Sequence, residues 1–207
     1  MQDDGYALYR RFLNGDKRAL ELLIALHGRG LYQFILGYVR DKGVAEDVLQ
    51  EVFIRLYTLR SFEKRKDGSL KSYLYEIAKN ESLNALKKRK RMREVSLDAL
   101  TKENAPHSAV SFRRGFFYPK LELFKTQTPA EDLEEKSEKE ELSRSVFTAL
   151  SRIKKEYRQA LFLRYFDGFS PKRIAKIMNK DVKQVYNLLA RGRAALKEKL
   201  QEKKQNL

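Results

Sequence analysis

The stretch that decides the fold is Ser170 to Leu200, which reads SPKRIAKIMNKDVKQVYNLLARGRAALKEKL. It predicts two helices joined by a tight turn. Ser170 is suited to cap a helix, and Pro171 fits the first helical position, where its missing N–H costs nothing. Counted from Pro171, the small Ala175 falls where the two helices must touch, and Asn179 falls in the turn, where Asn tolerates the left-handed conformation. The stretch is therefore typical of a helix-turn-helix.

The second helix of this unit predicts a surface that reads DNA. Asp181 is suited to cap it, and Gln184 three residues on gives a pattern close to a capping box. Apolar side chains are predicted to face inward at Ile174, Met178, Val182, Val185 and Leu188. Polar or aromatic side chains, which offer partners for base edges, are predicted to face outward at Lys183, Gln184, Tyr186, Asn187 and Arg191. The alternative is an ordinary amphipathic helix pair with a solvated face, which the coincidence of caps, small contact residue and turn residue disfavours.

Charge is unevenly placed along the chain. The 207 residues include 44 Lys and Arg and 28 Asp and Glu, for a formal net charge of +16. Residues 1–93 carry +8, residues 94–140 carry −3 and residues 141–207 carry +11. Two basic blocks indicate two modules that face nucleic acid. The mildly acidic block between them indicates a connecting segment with a different role. Proteins that bind membrane surfaces or ribosomes share such a basic balance, so charge alone does not choose among them.

Composition excludes several kinds of site. There is no cysteine, so disulfides and thiolate metal sites are excluded. The two histidines, His27 and His107, lie far apart without a partner pattern. We therefore expect no metal, no cofactor and no catalytic residue. No apolar run approaches about 20 residues and the N-terminus is acidic, which predicts neither a spanning helix nor a signal peptide and favours the cytoplasm.

Apolar periodicity predicts an all-α protein made of two small helical domains joined by a flexible linker. In the first domain, residues 1–93, helices are expected over 16–39, 44–59 and 70–91, with the glycines at 28–30 kinking or splitting the first of them. Residues 94–140 hold three of the four prolines and an acidic tract, so we read them as a partly disordered linker. An aromatic run at 112–118 either docks elsewhere or packs on the second domain. In that domain, residues 141–207, helices are expected over 142–153 and 157–165, before the helix-turn-helix.

Three motifs occur in a fixed order along the chain. They are VAEDVLQEVF at 44–53, YLYEIAKN at 73–80 and QVYNLLARGR at 184–193. They resemble the AEDxxQExF and WLYxIAxN segments of region 2 and the TVxSRxxRAR pattern of region 4 in bacterial RNA polymerase sigma factors of the extracytoplasmic-function (ECF) group. The likeness covers residues 5–93 and about 140–200. The chain departs from the usual pattern at Tyr73, which replaces Trp, at Asn84, which replaces Asp, and at Leu188 and Ala190. The linker is also long for the group.

The resemblance implies a transcription initiation factor. It would bind core RNA polymerase, direct it to −35/−10 promoters and assist promoter melting, without being an enzyme. Region 2 would correspond to residues 1–93 and region 4 to residues 141–207, at a fixed spacing only when polymerase holds both. The resemblance also implies an anti-sigma protein that covers the DNA-binding faces.

Polymerase docking is the first role that the resemblance assigns to particular residues. The helix bearing Asp47, Gln50 and Glu51 would dock on a coiled coil of the polymerase largest subunit. At spacings i, i+3 and i+4 these side chains form one polar patch, which suits an Arg-rich partner helix. A solvated helix face is the alternative.

Recognition and melting of the −10 element require a base to leave the stack and enter a pocket. We expect this pocket at the loop 61–69 and the start of the next helix. Asn80 offers an amide for a base edge, while Phe62 and Tyr73 offer stacking faces or else belong to the core. The basic side chains expected to follow the displaced strand are Lys64, Arg65 and Lys71.

Duplex DNA would be held at two further places. The run Lys87, Lys88, Arg89 and Arg91 is expected to touch phosphates upstream of the melted region. Beside the −35 element, phosphates are expected to meet Arg173, Lys180 and Arg193. In the major groove, Arg191 can pair with guanine, Asn187 or Gln184 with adenine, and the Tyr186 ring can meet a thymine methyl.

Two other functions remain open at this point. One is a helix-turn-helix repressor or activator that acts as a dimer on a palindromic site and is not a polymerase subunit. The other is an enzyme with a DNA-binding tail, which the lack of a nucleophile elbow, metal cluster or phosphate loop disfavours.

Overall fold

The computed structural model describes residues 4–59, 69–99, 145–146 and 148–205, and these residues form helices without a strand. Phe62, Lys64, Arg65 and the aromatic run 112–118 lie outside them. The predicted all-α class is confirmed. The helices are α1 Asp4–Leu13, α2 Lys17–Val39, α3 Lys42–Leu59, α4 Leu70–Ala99, α5 Lys155–Leu161 continued by a π-helical turn Phe162–Phe166, α6 Pro171–Met178 and α7 Val182–Gln205. Residues 145–146 and 148–152, before α5, are helical as well.

Helix α2 is the central helix of the first domain. Asp16 caps it by accepting a hydrogen bond from the Ala19 amide at 3.3 Å, and Arg40 ends it in the left-handed conformation with φ 56°. The helix is not split at the glycines, since it continues from Lys17 to Val39. It is long and apolar enough to cross a membrane, but it packs against α1, α3 and α4. We therefore interpret it as a core helix.

The first domain is a bundle of α1 to α4. Its fully buried side chains include Tyr9 of α1, Leu23 of α2, Leu56 of α3 and Leu74 of α4, none more than 1% exposed. Helix α1 was not predicted, because its ten residues include charged side chains and it is shorter than the periodic segments around it. Helix α4 runs to Ala99, beyond the 93/94 boundary set for the linker.

The second domain contains the predicted helix-turn-helix as α6 and α7. The Ser170 hydroxyl accepts a hydrogen bond from the Arg173 amide at 3.4 Å, and Asn179 takes the left-handed conformation with φ 53°. Ala175 is buried between the two helices, as expected. The prediction that Val182 faces inward is wrong, since this first residue of α7 is 36% exposed.

Replacing Asn179 by alanine is expected to lower the free energy of unfolding by about 1 kcal/mol. Alanine loses roughly this much free energy in the left-handed region, because its Cβ approaches the following carbonyl oxygen, whereas Asn tolerates this conformation. Urea unfolding would measure the change. Asn179→Gly is the matched control and should stay close to the wild type, because glycine reaches positive φ without strain. Equal losses in the two variants would contradict this explanation.

The two domains pack against each other, which corrects the expectation that they have a fixed spacing only when polymerase holds both. Helix α5 contacts α2, and α6 contacts α4. Phe34 and Phe162 lie 6.4 Å apart between ring centres, and Tyr75 meets Phe169 edge to face at 5.2 Å. The buried apolar residues of both domains form one continuous cluster. Side-chain burial thus continues across the junction between the domains.

Candidate nucleic-acid interface

The outward face of α7 presents the side chains that were predicted to face the major groove. The five residues predicted to face the major groove are all exposed, and Tyr186 is the most prominent apolar one, at 59%. At about 100° per residue they fall within about 160° of the helix circumference. Val185 and Leu189 on the opposite side are buried and fix the orientation of this face. The residues on the exposed face are Lys183, Gln184, Tyr186, Asn187 and Arg191.

Gln184 has a second role that competes with base reading. Its Oε1 atom accepts a hydrogen bond from the Asp181 amide at 3.0 Å, which is half of the predicted capping box. The side-chain oxygen is therefore engaged at the start of α7. Since reading adenine by an amide side chain needs both its oxygen and its nitrogen, Asn187 is the better placed of the two for this contact.

The residues predicted to meet phosphates beside α7 are not equally accessible. Arg193 is exposed, and Arg173 is half-buried at the start of α6. The Lys180 ammonium forms an ion pair with Glu156 at 2.7 Å. A partly exposed pair of this kind contributes at most about 1 kcal/mol, so a DNA phosphate can replace Glu156 at little cost.

A second basic surface lies towards the C-terminal part of α4. One of its residues, Arg89, forms an ion pair with Asp41 at 3.3 Å, and this pair connects α4 to the start of α3. The other side chains extend into solvent from a single helix, so they can follow a phosphate backbone without base selection. The exposed residues of this surface are Lys87, Lys88, Arg89 and Arg91.

Three of the residues assigned to the −10 element belong to α4, and they do not all lie on one side of this helix. Asn80 is exposed and Tyr73, seven residues earlier, is half-buried on the same side, where it packs against the core. Lys71 lies about 180° around the helix from Asn80. Its ammonium donates to the Asp167 carbonyl oxygen at 2.8 Å and lies 3.5 Å from the Asp167 carboxylate. In this structure Lys71 therefore belongs to the junction between the domains.

Tyr75 and Asp167 also belong to that junction, and neither was predicted as a functional residue from the sequence. The Tyr75 hydroxyl donates to Asp167 Oδ1 at 2.7 Å. Burial raises the pKa of Asp167, while Tyr75 and Lys71 act in the opposite direction. Burial, together with the negative charge of Asp167, raises the pKa of Tyr75. No signal in the sequence pairs residues 92 positions apart, although Tyr75 does lie inside the 73–80 motif.

The proposed docking patch lies on α3. Asp47 is exposed, and Gln50 and Glu51 are half-buried beside it. Arg55 donates to Glu51 at 2.9 Å and forms an ion pair with Glu81 of α4 at 3.1 Å. The structure thus orients Glu51 through Arg55 and leaves Asp47 as the accessible carboxylate of the patch. Among the described residues, no group of three His, Asp or Glu side chains is arranged to hold a metal ion.

Two solved structures share this fold. CnrH, in complex with the cytosolic domain of CnrY, aligns with a TM-score of 0.56 and 20% identity, over 95% of this chain and 96% of that one. The sigma factor RpoE of Bartonella quintana, in complex with the anti-sigma factor NepR, aligns with a TM-score of 0.55 and 24% identity, over 87% and 94%. At these identities the likeness establishes the arrangement of helices and nothing finer.

Sequence comparison identifies the family. The family model Sigma-70 region 2 matches residues 23–92, and the model Sigma-70, region 4 matches residues 143–196. The RNA polymerase sigma-H factor of Pseudomonas aeruginosa is 31% identical over 97% of this chain and 95% of its own length. The ECF RNA polymerase sigma-E factor of Escherichia coli is 32% identical over 94% and 93%. The chain therefore belongs to the ECF group of RNA polymerase sigma factors.

Proposed function

We propose that this sigma factor contacts a promoter through two separate surfaces and binds the polymerase through a third. In this division, residues 1–93 bind core polymerase and open the −10 element, and residues 141–207 recognise the −35 element. Residues 94–140 are the linker between these two domains. The exposed face of α7 carries the proposal, because it presents side chains suited to base edges on a helix that follows a formed turn and begins with half of a capping box.

Residue roles follow from accessibility. Arg191, Asn187, Lys183 and Tyr186 read base edges, with Gln184 divided between reading and capping. Asn80 and Tyr73 take part in the −10 pocket, to which Phe62, Lys64, Arg65 and Lys71 are also assigned. Asp47 is the main carboxylate of the polymerase contact, with Glu51 and Gln50 beside it. The phosphate contacts are assigned to Lys87, Lys88, Arg89, Arg91, Arg173, Lys180 and Arg193.

A partner that inhibits the factor belongs to the same proposal. RpoE is seen with an anti-sigma factor and CnrH with the cytosolic domain of CnrY. We expect a comparable protein to cover the DNA-facing surfaces of this chain. We further propose that the chain works in the cytoplasm, without a cofactor and without catalysis of its own. Membership in the sigma family disfavours the dimeric repressor or activator.

Transcription reconstituted from purified parts tests this function. Core polymerase from the source organism would transcribe genomic fragments with and without the protein, and the 5′ ends of the transcripts would be mapped. We expect transcripts that require the protein and whose upstream sequences share two elements near −35 and −10. Transcripts identical to those of core polymerase alone would contradict the proposal.

A further inference from the structure

A cavity of about 450 Å³ lies beside α2, next to α5 and the helical residues before it. Its apolar lining includes Phe34 and Leu36 of α2 together with Leu150 and Phe162 of the second domain. Cavities that hold small organic molecules have volumes of about 300–1,000 Å³ and mostly apolar walls with a few polar groups. None of the lining residues is assigned above to DNA or to polymerase. The cavity is therefore suited to a small molecule, a kind of ligand outside the proposed function.

Two buried donors at this cavity lack an acceptor. Gln159 is 4% exposed, and its Nε2 atom has no hydrogen-bond partner among the described residues. The Nε atom of Arg158 is buried and unpaired in the same way. Buried donors are nearly always paired, because an unpaired one loses its hydrogen bond to water and gains nothing in exchange. Since both residues line the cavity, a ligand bound there can supply the missing acceptors.

The rest of the Arg158 guanidinium is already fixed in position. One terminal nitrogen donates to the Gly37 carbonyl oxygen of α2 at 2.9 Å, and the other donates to the Ser151 carbonyl oxygen at 3.2 Å. Carbonyl oxygens orient the guanidinium, but they do not neutralise its charge. A ligand would therefore meet a cationic group that is held in place before binding, so little side-chain freedom is lost on binding.

The charges around the cavity favour an anion. Arg40, Lys42 and Arg158 line it, whereas no Asp or Glu of the described residues does so. Arg40 and Lys42 are exposed, and they lie at the end of α2 and the start of α3. Burial, followed by the positive charge of Arg40, lowers the pKa of Arg158. A bound anion would offset both effects, because it favours the charged form of the guanidinium.

We propose that this cavity binds a small amphiphilic anion. Its carboxylate or phosphate head accepts hydrogen bonds from Arg158 and Gln159, and its apolar part packs against Phe34 and Phe162. A guanidinium forms strong, charge-assisted hydrogen bonds with these two kinds of head group. The apolar walls add a burial free energy that a bare inorganic ion cannot gain. Arg40 and Lys42 add an attraction that salt screens, since both are exposed.

Isothermal titration calorimetry of the full chain with decanoate tests the proposal. We expect saturable binding of one decanoate per chain. Acetate lacks the alkyl chain and decanol lacks the charge, so each should bind at least about tenfold more weakly. Decyl phosphate is the second probe. Tighter binding of decyl phosphate than of decanoate supports a site for a phosphate head, and the reverse order supports a site for a carboxylate.

Two variants test whether the probe binds in this cavity. Gln159→Leu removes the buried donor at nearly the same side-chain volume, and Arg40→Gln removes an exposed charge. Each should weaken decanoate binding about three- to tenfold, as expected when one hydrogen bond or one partly screened charge contact is lost. Arg29→Gln is the matched control, because it removes the charge of an exposed arginine on α2 roughly 16 Å along the helix from Arg40. It should bind decanoate like the wild type.

Thermal unfolding separates a loss of binding from a loss of folding. The melting temperature of free Gln159→Leu should equal or exceed that of the wild type, because an apolar side chain removes the desolvation cost of the unpaired donor. Arg40→Gln carries the test if Gln159→Leu does not fold.

The proposal would be overturned if neither decanoate nor decyl phosphate bound in a saturable way. Equal affinities of the probe for the wild type, Arg40→Gln and Gln159→Leu would also overturn it, since the probe would then bind elsewhere. Decanol binding as tight as that of decanoate would contradict the anionic head group.

Discussion

The Asp47→Lys variant is expected to bind core polymerase at least about 100-fold more weakly than the wild type. Asp47 is the exposed carboxylate of the patch, while Glu51 is already engaged by Arg55. Reversal of the charge removes an attraction and places a lysine against a basic partner, and like charges at an interface cost several kcal/mol. Fluorescence anisotropy of labelled protein titrated with core polymerase measures the affinity.

Glu21→Lys is the control for this prediction. It reverses one exposed carboxylate on α2, away from the patch, and changes the net charge equally. Its affinity should stay within about threefold of the wild type, since a surface charge outside the contact acts only through screened long-range forces. If both variants weaken binding to the same degree, the patch is not the docking site.

The Arg191→Ala variant is expected to weaken the specific −35 contact by about 1–3 kcal/mol, or roughly 5- to 150-fold. Arg191 is exposed on the α7 face, and a bidentate contact to guanine contributes this much discrimination against a wrong base. The measurement is the affinity of reconstituted holoenzyme for its promoter and for the same fragment with a scrambled −35 element. Binding to the scrambled fragment should change less.

Lys197→Ala controls for charge on the same helix. Lys197 is exposed six residues further along α7, beyond the predicted groove face. It should weaken both fragments slightly and equally, as expected for a residue that contributes only to phosphate attraction. Equal losses on promoter and scrambled DNA in Arg191→Ala would remove Arg191 from the base-reading set.

Local signals predicted the helix-turn-helix closely. Ser170, Pro171 and Asn179 act within one or two turns of helix, so their roles as cap, first residue and turn residue depend on neighbours in the chain. Gln184 shows the limit of such signals, because the same side chain fits a capping box and a base contact. Only the coordinates place its oxygen on the Asp181 amide.

Long-range contacts were not predictable in the same way. Lys71 looked like a phosphate ligand from its charge and its place beside a basic loop, and the structure puts it against Asp167. The pairing of Arg55 with both Glu51 and Glu81 was equally invisible, since it depends on how α3 lies against α4. Charge patterns show that a side chain needs a partner, but they do not show which one it finds.

The sequence by itself determined the helical class, the positions of the main helices, the exposed face of α7 and, through its three motifs, the sigma family. These features are encoded by periodicity, caps and short patterns that act along a single helix. Tertiary structure alone decided that the domains pack together, and that Tyr75, Lys71 and Asp167 form one buried cluster. The physical reason is that a buried polar group selects its partner by three-dimensional proximity, and residues 71 and 167 come close only when α4 and the second domain are folded against each other.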